Sequence, residues 1–110
     1  MSDQIDFDTF KKVELRMGKV LAADRVEGSE KLIRYDVDFG EFGQRQILSG
    51  IAKWYSPEEL VGKTLPFVVN LEPRQLMGLE SQGMLLATGN EDGAVLLEPI
   101  KEVDPGAEIV

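Results

Sequence analysis

Hydrophobic and polar residues alternate along several short segments of the chain, and this alternation predicts β-strands. In residues 32–39, Ile33, Tyr35, Val37 and Phe39 fall on one side and mostly charged residues on the other. A period of two residues is typical of a strand with one buried face. Similar patterns of strand length predict further strands at residues 16–26, 45–51, 64–71, 84–88 and 94–100.

Two residues inside these segments indicate irregular strands. Gly18 interrupts the first strand, and we expect a bulge or a sharp bend there, as the closure of a small barrel requires. Pro66 has no backbone N–H, so we expect it at the start of its strand or on a sheet edge.

Two short helices are predicted between and before the strands. Residues 56–62 carry the residues of a capped turn: Ser56 as the cap, Pro57 at the first position, Glu59 three residues after the cap and Gly62 as the stop. Such a short helix is not stable alone, so it should plug one end of the sheet structure. A second short helix is predicted at residues 8–13, within about 7–13, with Phe7 and Phe10 on its buried side.

The order of these elements predicts the fold class. Short strands separated by closely spaced turn signals favour an all-β barrel or sandwich. Three strands, a short helix and further strands are the layout of an OB-fold, a five-stranded barrel. The 110 residues suffice for one domain, spanning residues 1–110.

Composition narrows the chemistry. The chain has no cysteine and no histidine, which excludes disulfides, thiolate nucleophiles, Cys/His zinc sites and histidine bases. No glycine-rich phosphate loop is present, so we expect no enzyme activity, no cofactor and no metal site. No apolar run reaches the length of a membrane span, and the first residues lack a signal peptide. We therefore expect no membrane association and a soluble, cytoplasmic protein.

The charge is acidic and unevenly distributed. There are 12 basic and 20 acidic residues, giving a net charge of −8. This argues against indiscriminate binding of polyanions. Residues 90–110 carry −5 of this charge and the rest of the chain only −3, so a local positive patch is possible before residue 90.

Residues 70–87 combine polar side chains with methionine, proline and glycine. One interpretation is a loop that presents amides, hydroxyls and the soft side chains of Met77 and Met84 to a nucleotide or a peptide. The other is a turn-rich connection whose Met and Leu residues fill the core. Trp54 and Tyr55 leave a similar choice between base stacking and a place in the core.

Four segments carry a resemblance to a known family. They are residues 10–20 (FKKVELRMGKV), 26–32 (VEGSEKL), 46–63 (QILSGIAKWYSPEELVGK) and 70–87 (NLEPRQLMGLESQGMLLA). Together they resemble the tRNA-binding domain that is appended to methionyl-tRNA synthetase or occurs as a free-standing structure-specific tRNA-binding protein. The likeness runs over nearly the whole chain.

The resemblance implies an OB-fold with extra terminal elements and a homodimer formed in part by them, at about residues 90–110. It implies a non-catalytic domain that recognises tRNA by shape and raises the affinity of an aminoacyl-tRNA synthetase for tRNA. The implied partners are tRNA, a second copy and, for a separate subunit, the catalytic chain of methionyl-tRNA synthetase. The chain would be either a separate subunit or a domain of a longer protein.

The resemblance also implies tRNA-binding residues. Ser81 and Met84 come first, and Lys31, Ser49, Lys53, Asn70 and Gln82 follow. Arg16 matches a family position but could serve the fold instead. Together with Arg16, Lys31 and Lys53, we expect Arg45 and Arg74 to contact phosphates.

Two other functions stay open at this point. The secretion chaperone CsaA resembles the same domain and binds unfolded peptides in an apolar groove of a dimer. A basic, hydrogen-bonding surface would favour tRNA, and a groove lined by Met and Leu would favour peptide. A domain that only docks to a synthetase is the third possibility.

Overall fold

A five-stranded antiparallel sheet, curled into a nearly closed barrel, forms the centre of the computed structural model, which describes residues 3–90 and 93–110. The helices and strands are, in chain order, α1 (Phe7–Lys11), β1 (Leu15–Arg25), β2 (Ile33–Asp38), a 3-10 turn (Gly40–Phe42), β3 (Gln44–Ser49), α2 (Pro57–Leu60), β4 (Thr64–Val68), β5 (Arg74–Leu76), β6 (Leu79–Ser81), β7 (Met84–Leu85), β8 (Ala87–Asn90) and β9 (Gly93–Leu96). The barrel sheet has the order β3-β2-β1-β4-β7. This all-β architecture, with a helix between the third and fourth strands, confirms the predicted OB-fold.

The strand β1 is long because it pairs on both sides. Its first half pairs with β4 and its second half with β2. The register shifts between Val20 and Ala22, so the bulge lies beyond Gly18. Gly18 is required for another reason: a Cβ there would lie 2.4 Å from Val37 Cγ1 and 2.7 Å from Phe39 Cε1.

The barrel interior is filled by the alternating side chains of the strands. Burial alternates along β2, with Ile33, Tyr35 and Val37 fully enclosed, as the sequence pattern predicts. Phe39 and Phe67 meet edge to face with ring centroids 5.5 Å apart. Such aromatic pairs stabilise a core beyond the area that they bury.

The helix α2 closes one end of this core, as expected. Ser56 and Glu59 form the predicted capping box, and Pro57 stands at the start of the helix. Leu60 is fully buried among the barrel residues. A single turn thus acts as a plug whose stability comes from packing rather than from its own length.

The prediction that Phe7 and Phe10 lie on a buried side of the first helix is wrong. Their side chains are 70% and 44% exposed. The helix α1 is only five residues long and lies outside the barrel, where it buries none of its residues within the described chain. Asp6 caps it by accepting a bond of 2.7 Å from the Thr9 amide, and hydrogen bonds from the Thr9 side chain and amide lower the pKa of the Asp6 carboxyl.

The strand predicted at residues 64–71 is shorter than expected. It ends at Val68, and Pro66 lies in its interior rather than at its start. The Pro66 carbonyl accepts a hydrogen bond of 3.0 Å from the Leu86 amide, but its nitrogen has no proton to return. The ladder between β4 and β7 therefore covers only Phe67 and Val68 on the β4 side.

Two hairpins lie outside the barrel sheet. The pair β5–β6 turns at Met77 and Gly78, which both have positive φ, of 52° and 79°. Positive φ at both central residues is the signature of a type I′ turn, which suits the twist of a hairpin. The pair β8–β9 follows, and the strand predicted at residues 94–100 ends at Leu96.

The C-terminal segment adds a further short pairing to β1. The Met17 amide donates to the Ala107 carbonyl at 2.8 Å, and the Ile109 amide donates to the Leu15 carbonyl at 2.9 Å. Residues 106–109 therefore cover an edge of the first strand. No helix in the described ranges is long and apolar enough to cross a membrane.

Candidate functional site

A surface depression of about 380 Å³ lies where the ends of the barrel strands meet the β5–β6 hairpin. Its lining is Leu32, Leu48, Ser49, Gly50, Ile51, Arg74, Leu76, Met84, Leu85 and Ala87. Of the residues predicted for the site, the structure thus brings together Ser49, Arg74 and Met84. The Met84 side chain is 44% exposed and offers a soft apolar contact at this surface.

Basic residues flank the turn that follows β3, next to Gly50 and Ile51 in the lining of this depression. The Ala52 amide donates to the Lys31 carbonyl at 3.0 Å, which ties the β1–β2 loop to the turn that carries Lys53. Arg25, at the end of β1, donates to the Ala52 carbonyl at 3.4 Å. Sequence reasoning missed Arg25, because only the folded turn brings it beside the two lysines.

We call Arg25, Lys31, Lys53 and Arg74 the basic rim. All four residues are exposed. Within the described chain, none of them has a carboxylate oxygen within the 4.0 Å of an ion pair. The described ion pairs instead involve Arg16, Arg34 and Lys63. The rim is therefore a local source of positive charge on an acidic protein.

Ser81 and Gln82 close the barrel between β3 and β7. The Ser81 hydroxyl accepts a bond of 3.0 Å from the Leu48 amide and donates one of 3.1 Å to the Gly83 carbonyl. The Gln82 amide donates to the Gln46 carbonyl at 2.8 Å, and its side-chain oxygen accepts from the Gln46 amide at 3.0 Å. We call these two residues the latch. Direct tRNA contact by the latch stays a prediction, and Ser81 is only 4% exposed.

Asn70, which follows β4, also uses its side chain to hold separate segments of the chain together. Its side-chain oxygen accepts from the Glu14 amide at 2.8 Å, and its side-chain nitrogen donates to the Lys12 carbonyl at 2.6 Å. Asn70 thus holds the chain between α1 and β1 against the barrel.

The predicted phosphate ligands Arg16 and Arg45 both bind the protein itself. Arg16 pairs with Glu14 at 2.7 Å, donates to the Gly106 carbonyl at 2.9 Å and lies 3.9 Å from the ring centroid of Phe42. Arg45 donates to the Val69 carbonyl. The structure therefore gives both guanidinium groups a role in the fold, as the sequence already suggested for Arg16.

Ser49 connects the depression to the core. Its hydroxyl shares a hydrogen bond with the hydroxyl of Tyr35, whose ring lies inside the barrel. Burial raises the pKa of Tyr35 far above its usual range, which keeps the phenol neutral. The Ser49 side chain is half-buried, so its remaining capacity for hydrogen bonds faces the depression.

The two aromatic residues that precede α2 differ in burial. Tyr55 packs against the core, and its hydroxyl accepts a bond of 3.2 Å from the Leu96 amide. Trp54 is 45% exposed. The core interpretation therefore holds for Tyr55 and not for Trp54.

The described ranges contain no group of three or more acidic side chains arranged as metal ligands would be. The chemistry of the surface is instead that of reversible binding: cations, a hydroxyl and apolar side chains around a shallow depression. Nothing in this arrangement pairs a nucleophile with a base.

Comparisons with known proteins assign the class. The family model described as "Putative tRNA binding domain" matches residues 15–108. The chain belongs to this tRNA-binding domain family. The domain is non-catalytic, and in the related synthetases the catalytic activity lies in another part of the chain.

Individual relatives show which members of this family the chain is similar to. The methionine–tRNA ligase of Methanothrix thermoacetophila is 55% identical over 105 residues, which are 96% of this chain and 15% of that protein. The chain thus spans only a small part of this relative. The crystal structure of a MetRS-related protein from Pyrococcus horikoshii is 42% identical, with a TM-score of 0.92, covering 99% of this chain and 100% of that one. The chaperone CsaA from Bacillus anthracis is 33% identical, with a TM-score of 0.88, covering 98% and 100%.

Proposed function

We propose that this domain recognises the overall shape of tRNA. By binding tRNA it assists a methionyl-tRNA synthetase, as a part of that enzyme or as a separate subunit. The observation that carries the proposal is the basic rim, four exposed cations beside a depression on a protein of net charge −8. The membership of the chain in the tRNA-binding family and its sequence identity to methionine–tRNA ligases support a methionyl-tRNA synthetase as the partner. Such a role belongs to the cytoplasm, where tRNA is aminoacylated.

The small number of cations in the basic rim limits how strongly tRNA can bind through its phosphates. Each phosphate contact changes the slope of log affinity against log salt by about −0.7 to −0.9, so the four cations of one rim contribute no more than about −4 to that slope. Folded RNA is read through its phosphates and 2′-hydroxyls rather than through the edges of paired bases. We therefore expect modest affinity and little dependence on the sequence of the tRNA.

We further propose that two copies form a homodimer through their terminal segments. Large apolar side chains are exposed there, with Phe7 70%, Ile100 102% and Val110 105% exposed. We propose that these side chains meet on one face, because a contiguous exposed apolar face is typical of a surface that packs on another protein. A dimer would offer two basic rims to one folded RNA, which compensates for the small number of cations on each.

The lining of the depression supports one alternative function. Leucine, isoleucine, methionine and alanine predominate there, and such a surface suits the side chains of an unfolded peptide. The fold similarity to CsaA points in the same direction. The rim distinguishes the two functions, because cations beside the depression favour a polyanion.

The test is a titration of fluorescently labelled tRNA with the purified protein at low and moderate salt, read by anisotropy. Competitors are unlabelled tRNA, an RNA duplex of the same length and a reduced, alkylated polypeptide. We expect saturable binding that tRNA competes far better than the duplex does. Competition by the polypeptide alone, without tRNA binding, would instead establish the peptide function. Binding of neither would leave docking to a synthetase.

A further inference from the structure

Trp54 is the only tryptophan of the chain and stands out from its surroundings by its exposure. Ile51 and Ala52, in the same turn, are 5% and 6% exposed, whereas Trp54 is 45% exposed. A large aromatic side chain at the surface of a well-packed turn requires an explanation, since burial would otherwise stabilise the fold.

The indole is fixed in place by the β8–β9 hairpin. Gly93 lies against it so closely that a Cβ there would be 2.1 Å from Cε2 of Trp54 and 2.2 Å from its Nε1. With φ at +117°, Gly93 also adopts a backbone conformation that other residues rarely take. The ring is therefore packed against Gly93 on one part and open to solvent on the rest, and we call it the indole platform.

Basic residues flank the turn that carries Trp54. Lys53 precedes Trp54 directly, the Arg25 guanidinium donates to the Ala52 carbonyl, and the Lys31 backbone carbonyl accepts from the Ala52 amide. An aromatic ring beside cations is the combination that binds unpaired nucleotides, because the ring stacks on a base while the cations hold the phosphates. Every base has a π face, so stacking of this kind does not depend on sequence.

We propose that Trp54 stacks on an unpaired base of tRNA while the basic rim holds the neighbouring phosphates. The proposal rests on the tRNA-binding function above and adds a definite contact to it. Folded tRNA offers unpaired bases in its loops and at its end, whereas a continuous duplex offers none in its interior. Stacking on Trp54 would therefore contribute to the discrimination of tRNA from duplex RNA.

The experiment records two signals in one titration. Labelled tRNA reports binding through its anisotropy, and Trp54, as the sole tryptophan, reports its own surroundings through intrinsic fluorescence. We expect quenching of Trp54 with the same midpoint as the anisotropy change. We also expect bound tRNA to protect the indole from acrylamide.

Three variants test the contact itself. Trp54→Leu should weaken tRNA binding between about fivefold and about a hundredfold, which is the range for loss of one base–aromatic stack. Trp54→Phe keeps a ring and should retain most of the affinity. Phe42→Leu is the matched control, because Phe42 has the same exposed fraction of 45% but lies at the other end of the β2–β3 hairpin. Circular dichroism verifies that each variant is folded.

The outcomes separate this proposal from the function on which it rests. Anisotropy binding without a change in Trp54 fluorescence, or equal affinities of Trp54→Leu and Phe42→Leu, overturns the stacking and leaves the tRNA function intact. Absence of tRNA binding overturns both. A fluorescence change on dilution without RNA, together with loss of a dimer in Trp54→Leu, assigns the indole to a protein interface instead.

Discussion

Ser81 and Gln82 do for β3 what a neighbouring strand does elsewhere in the sheet. Their side-chain oxygens accept from the amides of Leu48 and Gln46, and the Gln82 amide donates to the Gln46 carbonyl, where the two-residue strand β7 does not pair with β3. The sequence singled out both residues through the Ser-Gln-Gly-Met motif, but only the fold shows this role. A motif marks residues that matter without saying whether they hold the structure or touch the ligand.

We therefore expect Ser81→Ala to act on stability first. The substitution leaves the Leu48 amide buried without its partner, which costs about 1–3 kcal/mol of the free energy of unfolding. Urea denaturation measures this loss, and Thr88→Ala, which removes an exposed hydroxyl, is the control. The folded fraction of Ser81→Ala should still bind tRNA. Equal free energies of unfolding for the two variants would contradict the stabilising role of the Ser81 hydroxyl in the latch.

At the scale of elements, the periodicity of the sequence predicted β1 to β3 well, the later strands only in part and the terminal helix poorly. The strand predicted at residues 84–88 is in fact two strands, β7 and β8, which belong to different sheets. The alternation in β2 is maintained by the core on one face, so its pattern could be recognised. The spacing of Phe7 and Phe10 indicated one apolar face of a helix, but not what covers it. A five-residue helix held through Asp6 and Asn70 leaves this face exposed in the single chain.

We expect the double substitution Phe7→Asp and Phe10→Asp to convert the proposed homodimer into a monomer, because it places charges in the apolar face that we propose packs on the second copy. Sedimentation or light scattering measures the mass over a range of concentrations. Met77→Asp is the matched control, since Met77 is 59% exposed on a turn far along the chain. A double variant that keeps the mass of two chains would show that α1 lies outside the interface.

At the scale of the whole molecule, the distribution of charge matters more than its total. The sequence predicted a local positive patch before residue 90 and supplied three of its members, Lys31, Lys53 and Arg74. It could not supply Arg25, which joins them only through the turn at Ala52. Nor could it show that the guanidinium groups of Arg16 and Arg45 donate to backbone carbonyls of the protein itself. The fold class followed from strand spacing, but the surface depended on tertiary contacts.

The central claim is that a local basic rim, and not the overall charge, binds tRNA. The most direct measurement compares two variants of equal net charge by tRNA anisotropy at several salt concentrations. One is Lys31→Glu with Arg74→Glu, on the rim. The other is Lys19→Glu with Lys63→Glu, on two lysines of β1 and the turn before β4 that lie outside the rim and outside residues 90–110.

We predict that the rim variant loses at least about tenfold in affinity and that its salt slope becomes shallower by about 1.4 to 1.8 for each rim in contact with the RNA, as the loss of two phosphate contacts per rim requires. The control variant should bind nearly as the unmodified protein does. Equal losses in the two variants would contradict the account, because they would show that tRNA responds to the total charge and not to this site.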